Sequence, residues 1–290
     1  MARLLDGKKT AAAIKDELRE DTARWVRRGV QPKLAALLAG DDPAALAYAR
    51  SKEKVCAGLG MDYEMHHLPG ETREEAVLDR IRSLNGDPAV HGIILEMPLP
   101  PQIDRRRAME AIDPLKDVDG VHPLNRGRLM AGDRGLFPAT PLACVEILRR
   151  HDVPLAGRDV VLVGRGETVG KPLIFLLLQE NATVTVCHTR TADLASHTRR
   201  AEVLIVAAGR RGLVTGDMVR EGVTVVDAGI NPSPEGRLCG DVDFEGVAAK
   251  AAAITPVPGG VGSLTTVLLL RNVLKAVALQ AGGEGTSWKA

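Results

Sequence analysis

The stretch RDVVLVGRGETVGKPLIFLLLQENATVTVCHTR, residues 158–190, decides the fold. Its opening, RDVVLVG (158–164), is a short continuous apolar run ended by glycine, the pattern of a strand buried in a parallel sheet. Glycines stand at 164, 166 and 170, a helix is read over about 170–179, and ATVTVC (182–187) forms the next strand. Strand, glycine-rich turn, helix and strand in that order open a Rossmann dinucleotide-binding unit. Glycines there let the chain turn tightly and let backbone N–H groups approach a pyrophosphate at the helix start. The spacing is GxGxxxG, one residue longer than the usual fingerprint.

The second strand ends in CHTR, Cys187 to Arg190. A site that prefers NAD generally carries Asp or Glu there to bind the ribose 2′-hydroxyl. No acid is present, while Thr189, Arg190 and the loop residue Arg165 offer hydroxyl and guanidinium groups suited to a 2′-phosphate. The expected cofactor is NADP, contacted by Gly164, Arg165, Gly166, Thr189 and Arg190.

Downstream, EVLIVAAG (202–209), VTVVDAGI (223–230) and AAITPVP (252–258) continue the strands, with helices around 191–200 and near 215–220 and a long closing helix over 262–280. Upstream the alternation repeats. A helix over 8–29 precedes the strand PKLAALLAG (32–40). A second helix begins at Asp42 and Pro43 and exits at Gly58 and Gly60. YEMHHL is a strand, 71–85 a helix with Glu71, Glu74 and Glu75 at its start, and HGIILEMPLPP (91–101) a strand running into a Pro-rich loop. The fold class is therefore α/β: two α/β domains with mostly parallel sheets, the C-terminal one of Rossmann type, separated by an active-site cleft. Residues 1–140, completed by a helix at 263–280, form the catalytic domain, 141–262 the nucleotide domain, and 281–290 a frayed tail. The Gly-, Pro- and Asp-rich segment 113–138 has little periodicity and reads as a structureless run, which is more often functional than idle.

Composition narrows the function. Lys and Arg (38) nearly balance Asp and Glu (37) and aromatics are 2%, so neither a field for polyanions or acidic membranes nor a stacking surface for bases is present. No nucleic-acid or membrane partner is expected. Four dispersed cysteines form neither a zinc motif nor a disulfide framework, and the N-terminus lacks the apolar core of a signal peptide, which fits a reducing cytoplasm. His66, His67, His91, His122 and His188 show no ligand spacing, and no metal site is expected.

Three first-half segments could carry chemistry. AYARSKEK (47–54) places Tyr48 and Lys52 on one helix face, either as packing with a solvated ammonium or as a chemical centre. The strand end supplies Glu96, Met97 and Pro98, and KDVDGVHP (116–123) supplies Asp117 and Asp119, which also suit a turn. Residues just after strand C-termini in a parallel sheet gather on one edge. In the second half, PVPGGVGSLT (256–265) carries Gly259, Gly260 and Gly262, suited to backbone lying close to a planar ligand. A Tyr-x-x-x-Lys pair also occurs in short-chain dehydrogenases, but downstream of the glycine loop and in the same domain. Here Tyr48 lies far upstream of Gly164.

The segments GDDPAALAYARSK, HGIILEMPLP, KDVDGVHPLNRGRL, VVLVGRGETVGKPL, NATVTVCHTRT, GDVDFEGV and ITPVPGGVG resemble, in order and spacing, the bifunctional methylenetetrahydrofolate dehydrogenase/methenyltetrahydrofolate cyclohydrolase (FolD) family. The resemblance runs from about residue 4 to 278. It implies a homodimer formed through the Rossmann domain, and a hydride transfer from 5,10-methylenetetrahydrofolate to NADP+. Hydrolysis of the methenyl product to 10-formyltetrahydrofolate follows. It also implies that Lys52 handles protons in the hydrolysis, Tyr48 packs on the folate, Asp119 binds the pterin, Ile230 joins the cofactor contacts, and Pro258, Gly259, Gly260, Val261 and Gly262 contact the folate.

The chain departs from the family pattern where it has Ala45-Leu46 for Ser-Gln, Glu96 for Gln, Ala139 for Cys, and Ser263-Leu264 for Pro-Met or Pro-Leu. Glu96 matters most, because a carboxylate beside Lys52 would favour the ammonium, and a lysine held protonated is a poor base. The dehydrogenase is expected to be retained and the cyclohydrolase weakened or lost; the alternative is a repurposed, non-catalytic paralogue that binds folate or nucleotide, against which the retained Tyr48, Lys52 and Asp119 weigh.

Overall fold

Asp42 starts the helix that carries Tyr48 and Lys52: its carboxylate accepts the N–H of Ala45 at 2.8 Å, Pro43 occupies the first turn, and Gly60 closes the helix at φ 74°. Such local signals recur along the chain in a computed structural model that describes residues 2–233 and 236–282. The expected tail lies outside the described residues from 283 onward.

In chain order the elements are β1 (Arg3–Leu4), α1 (Gly7–Arg27), β2 (Lys33–Ala39), α2 (Pro43–Leu59), β3 (Asp62–Leu68), α3 (Glu74–Gly86), β4 (Gly92–Leu95), α4 (Arg105–Glu110), α5 (Pro123–Ala131) and α6 (Ala139–Arg150). They continue with β5 (Asp159–Val163), α7 (Gly170–Gln179), β6 (Thr183–Cys187), α8 (Leu194–Thr198), β7 (Val203–Val206), β8 (Thr224–Asp227), β9 (Asn231–Pro232), β10 (Leu238–Cys239), α9 (Phe244–Ala248), β11 (Ala253–Ile254) and α10 (Thr265–Gln280). The chain divides into two units, residues 13–137 with 266–290, and residues 1–12 with 138–265.

The first of these units holds a parallel three-stranded sheet in the order β3-β2-β4. Central β2 is buried from Leu34 to Ala39, as its uninterrupted apolar sequence requires. Helix α10 is tied into this unit by Asn272, whose buried Nδ2 donates to the carbonyls of Val118 (2.8 Å) and Phe137 (2.7 Å). Buried backbone carbonyls need such partners, so a polar residue on an otherwise apolar helix fixes its docking.

The second unit holds a six-stranded parallel sheet in the order β1-β11-β8-β7-β5-β6. Val160 to Val163 of β5 are buried, and full burial of each such side chain contributes about 1.5–3 kcal/mol. Strand β5 lies between β6 and β7, so the order of succession reverses there, the topological switch point at which doubly wound sheets bind dinucleotides.

One expectation is extended and one is corrected. Arg3 and Leu4 form a strand that the sequence did not show: they pair in parallel with Ala253 and Ile254, and so short a strand carries no readable alternation. Segment 113–138 is not structureless. Pro123 opens α5, His122 caps it by accepting the N–H of Leu124 at 3.0 Å, and Gly132 ends it at φ 79°. The cap is a histidine rather than Ser, Thr, Asp or Asn, which hid the start.

Candidate functional site

Lys52 lies one helical turn beyond Tyr48 on α2 and is only 2% exposed. Its Nζ sits 3.9 Å from the centroid of the Tyr48 ring, a cation–π contact, while the tyrosine itself is 50% exposed. Glu96 follows directly on β4, where its N–H continues the ladder to the Leu37 carbonyl at 2.9 Å. That strand end aims the carboxylate inward, and Lys52 Nζ donates to both Oε1 and Oε2 at 2.8 Å. The pair is buried on both sides, with Glu96 4% exposed.

Asp117 and Asp119 share a loop but not a task. Asp117 is fully buried and accepts the N–H groups of Val121 (3.2 Å) and His122 (2.9 Å) and the Nδ2 of Asn125 (2.9 Å). It shapes the loop. Asp119 is partly exposed, and its carboxylate accepts no hydrogen bond from a described residue. Burial, then the neighbouring Asp117 charge, pushes its carboxyl up to about 6. Met97 is partly buried and Pro98 exposed beside Glu96. Cys56, one turn beyond Lys52, is pushed up to about 12 by burial and is no nucleophile.

In the nucleotide unit, Gly164 ends β5 at φ 125°, a conformation reserved for glycine, and a Cβ there would lie 2.1 Å from the Ala207 carbonyl oxygen. A Cβ on Gly170, where α7 starts, would lie 2.5 Å from the Gly164 oxygen, so this glycine lets helix and strand pack closely. Gly166 has no heavy atom within 4 Å of its would-be Cβ: it leaves open space for a ligand. Arg165, Thr189 and Arg190 are exposed, and among the described residues neither arginine is ion-paired. The turn bearing Thr189 and Arg190 is held by His188, whose Nδ1 accepts the Arg190 N–H at 3.1 Å and whose own N–H donates to Thr191 Oγ1 at 2.8 Å. An open glycine turn at a helix start with uncommitted guanidinium groups fits NADP.

A cavity of about 270 Å³ opens in the same unit, walled by Asp227 to Ile230, Leu238, Thr140 and the run Pro256–Ser263. It brings Ile230, expected on the cofactor, together with Pro258, Gly259, Gly260, Val261 and Gly262, expected on the folate. Gly7 supports that run from behind: its N–H donates to the Gly259 carbonyl at 2.9 Å, and a Cβ on it would meet the Gly260 oxygen at 2.0 Å. Sequence reasoning missed Gly7, Asn125 and the buried Asp227 and Asp241, for which the only signal was the run GDVDF around Asp241. It also passed over Tyr63, whose buried hydroxyl has no partner among the described residues and is pushed upward by burial and by the Glu96 charge.

These features define an α/β dehydrogenase with a Rossmann unit and a second unit built around a lysine–carboxylate pair. The chain belongs to the tetrahydrofolate dehydrogenase/cyclohydrolase family, matching its catalytic domain over residues 5–119 and its NAD(P)-binding domain over residues 138–281. It is 58% identical over 281 residues to the bifunctional protein FolD of Heliobacterium modesticaldum, covering 97% of this chain and 98% of that one. It is 56% identical over 280 residues to bifunctional protein FolD 2 of Desulfitobacterium hafniense, covering 97% and 98%. Among solved structures, FolD from Campylobacter jejuni superposes with a TM-score of 0.94 at 43% identity, covering 97% of this chain and 100% of that one. The Trypanosoma brucei enzyme, solved with NADP and an inhibitor, gives 0.90 at 38%, covering 97% and 98%. The protein is accordingly an NADP-dependent member of a bifunctional enzyme family, and its substrate is a folate.

Proposed function

We propose that the chain oxidises 5,10-methylenetetrahydrofolate efficiently and hydrolyses the methenyl product slowly, because Glu96 engages with both its oxygens the Lys52 amine that the hydrolysis uses. The observation that carries this is the buried bidentate contact, two 2.8 Å bonds from Nζ to one carboxylate. NADP+ supplies the acceptor for the hydride that leaves the one-carbon bridge. Gly164, Arg165, Gly166, Thr189 and Arg190 bind that cofactor, and Ile230 faces it from the cavity wall. Asp119, the uncommitted carboxylate, hydrogen-bonds the pterin, Tyr48 offers its exposed ring for stacking, and Met97 and Pro98 flank the pair. Pro258 to Gly262 contact the folate.

Water addition to the methenyl cation forms a C–O bond and releases one proton; ring opening then breaks a C–N bond as the hydroxyl loses its proton to become the formyl C=O and the departing nitrogen takes one up, so the net reaction releases one proton. Lys52 is placed to relay those protons, and it must lose its own before it can accept another. Hydride transfer asks instead for alignment, which the ion pair does not disturb.

The chain also acts as a homodimer through the Rossmann unit, a reading supported by β6, which ends the sheet with one free edge, and by Leu178, 52% exposed on α7 beside partly exposed Ile174 and Phe175. Four free cysteines suit a reducing cytoplasm, and among the described residues no helix is long and apolar enough to cross a membrane.

The test is to supply methylenetetrahydrofolate and NADP+ to the purified protein and follow NADPH and methenyl absorbance together. NADPH should form while the methenyl compound accumulates. Rapid enzyme-driven decay of methenyl absorbance sinks the restraint by Glu96, and absence of NADPH sinks the dehydrogenase.

A further inference from the structure

Two buried carboxylates stand at the C-terminal edge of the six-stranded sheet. Asp227 ends β8 and is 4% exposed, and Asp241, two residues past β10, is fully buried. Asp227 accepts the N–H groups of Gly229 (2.9 Å), Asp241 (3.0 Å) and Val242 (2.9 Å). Asp241 accepts those of Ala208 (2.6 Å) and Gly209 (2.9 Å), and the Nδ2 of Asn231 at 2.9 Å. All four carboxylate oxygens are thus committed to backbone or to Asn231. Packing leaves no slack: a Cβ on Gly240 would lie 1.8 Å from Asp227 Oδ2, and one on Gly229 would lie 2.4 Å from Asp241 Oδ1.

The segments so tied are those that leave β7 and β8. Beyond the ends of the two strands, ladder pairing no longer satisfies the N–H groups of Ala208, Gly209 and Gly229, and anionic acceptors replace it. The β7 segment backs the glycine turn, since the Ala207 carbonyl occupies the space a Gly164 side chain would need. It therefore forms one side of the switch-point crevice between β5 and β7. The β8 segment supplies Ala228, Gly229 and Ile230 to the cavity wall.

We propose that Asp227 and Asp241 are positioning residues for NADP, a brace that locks the β7 and β8 segments in the arrangement that keeps the crevice open and presents Ile230. The inference rests on the proposed placement of NADP at Gly164–Gly166 and Ile230. Neither aspartate touches the reacting atoms; each acts through a loop.

Asp241→Ala removes the three bonds that Asp241 accepts and leaves those of Asp227, whereas Asp241→Asn keeps one oxygen able to accept from both Ala208 and Gly209. The full chain is to be compared by NADP+ titration calorimetry, by KM for each substrate, and by Tm without ligand. The expectation is a rise of about tenfold or more in Kd and KM for NADP+ in the alanine variant, with the folate KM within about twofold, and recovery to within about threefold in the asparagine variant, on the strength of charge-assisted bonds. If Asp241→Ala does not fold, Asn231→Ala, which removes the Nδ2 bonds to Asp241 and to the Gly240 carbonyl but keeps those of Ala208 and Gly209, should raise the NADP+ Kd by about threefold. A folded alanine variant that binds NADP+ like the wild type, or one in which both KM values rise together, overturns the proposal. Gly166→Val separates the two readings, because a Cβ at this position has no heavy atom within 4 Å and, in a variant whose Tm matches the wild type, would stand where the cofactor is placed. If it leaves NADP+ binding intact, the cofactor placement falls and the brace with it. If it abolishes binding while Asp241→Ala does not weaken it, the brace alone falls.

Discussion

Replacing Glu96 with glutamine should accelerate hydrolysis of methenyltetrahydrofolate. In the wild type, removing a proton from Lys52 sacrifices two charge-assisted bonds of 2.8 Å inside a buried pocket. A glutamine can offer one oxygen, and its amide nitrogen repels the ammonium. A hydrogen bond to a charged group is worth about 1.5–3 kcal/mol, and with one glutamine oxygen Nζ keeps one of its two. Loss of the other, at 1.4 kcal/mol per factor of ten, sets the expected gain in the hydrolytic rate at about 10- to 100-fold. The same change leaves a buried ammonium short of countercharge, so the variant should also lose stability, by less than the about 3–5 kcal/mol typical when one partner of a buried pair is removed outright. The assay begins from purified methenyltetrahydrofolate and follows its absorbance in the absence of NADP+, so that hydride transfer does not enter. The NADP-dependent rate, measured separately, should change far less. If the folded variant hydrolyses at the wild-type rate or more slowly, Glu96 does not restrain Lys52 and the reasoning fails.

Lys52→Met should abolish enzyme-driven ring opening and strand the Glu96 carboxylate, lowering urea stability by about 3–5 kcal/mol; Lys52→Met with Glu96→Leu should recover most of that loss, and an unchanged midpoint in the single variant would refute it. Arg165→Ala or Arg190→Ala should raise the KM for NADP+ by about tenfold and leave that for NAD+ in place, because a 2′-phosphate contact is charge-assisted; equal changes for both cofactors would count against that contact. Asp119 is raised in the folded protein to about 6, so the folded state binds its proton before the unfolded chain does, and the ionised group destabilises the fold above that pH. Asp119→Asn should therefore be more stable than the wild type at pH 8, by about 1–2 kcal/mol after allowance for partial exposure, with the gain fading as pH falls to 4. Urea midpoints at the two pH values decide it, and a gain that grows on acidification reverses the sign.

Sequence carried the nucleotide unit well because its signals are local. The run VVLVG needs no partner to read as a buried strand, Gly164 is demanded by its own φ of 125° and Gly170 by its contact with the Gly164 oxygen, and the missing acid after β6 is visible within CHTR. Tyr48 and Lys52 were legible for the same reason, since an interval of four residues on a helix fixes their contact. The pieces that escaped depend on distant chain. Arg3–Leu4 is a strand only because Ala253–Ile254 lies beside it, and Asp241 acts on Ala208 and Gly209, more than thirty residues upstream. No window of sequence contains both ends of such a contact.

The lysine shows where these two kinds of information meet. Its helix supplies an aromatic face from Tyr48, which attracts the ammonium yet remains half exposed, and a cation–π contact at such a site is worth about 0.5–1 kcal/mol. Its second partner arrives from the end of β4, 44 residues on, with a full charge in two contacts. The local signal thus locates the reactive group, while the strand end decides what its amine is bound to. On the proposed reading, a carboxylate at position 96 that takes both contacts slows hydrolysis, which needs that amine to move protons, more than hydride transfer, which needs alignment.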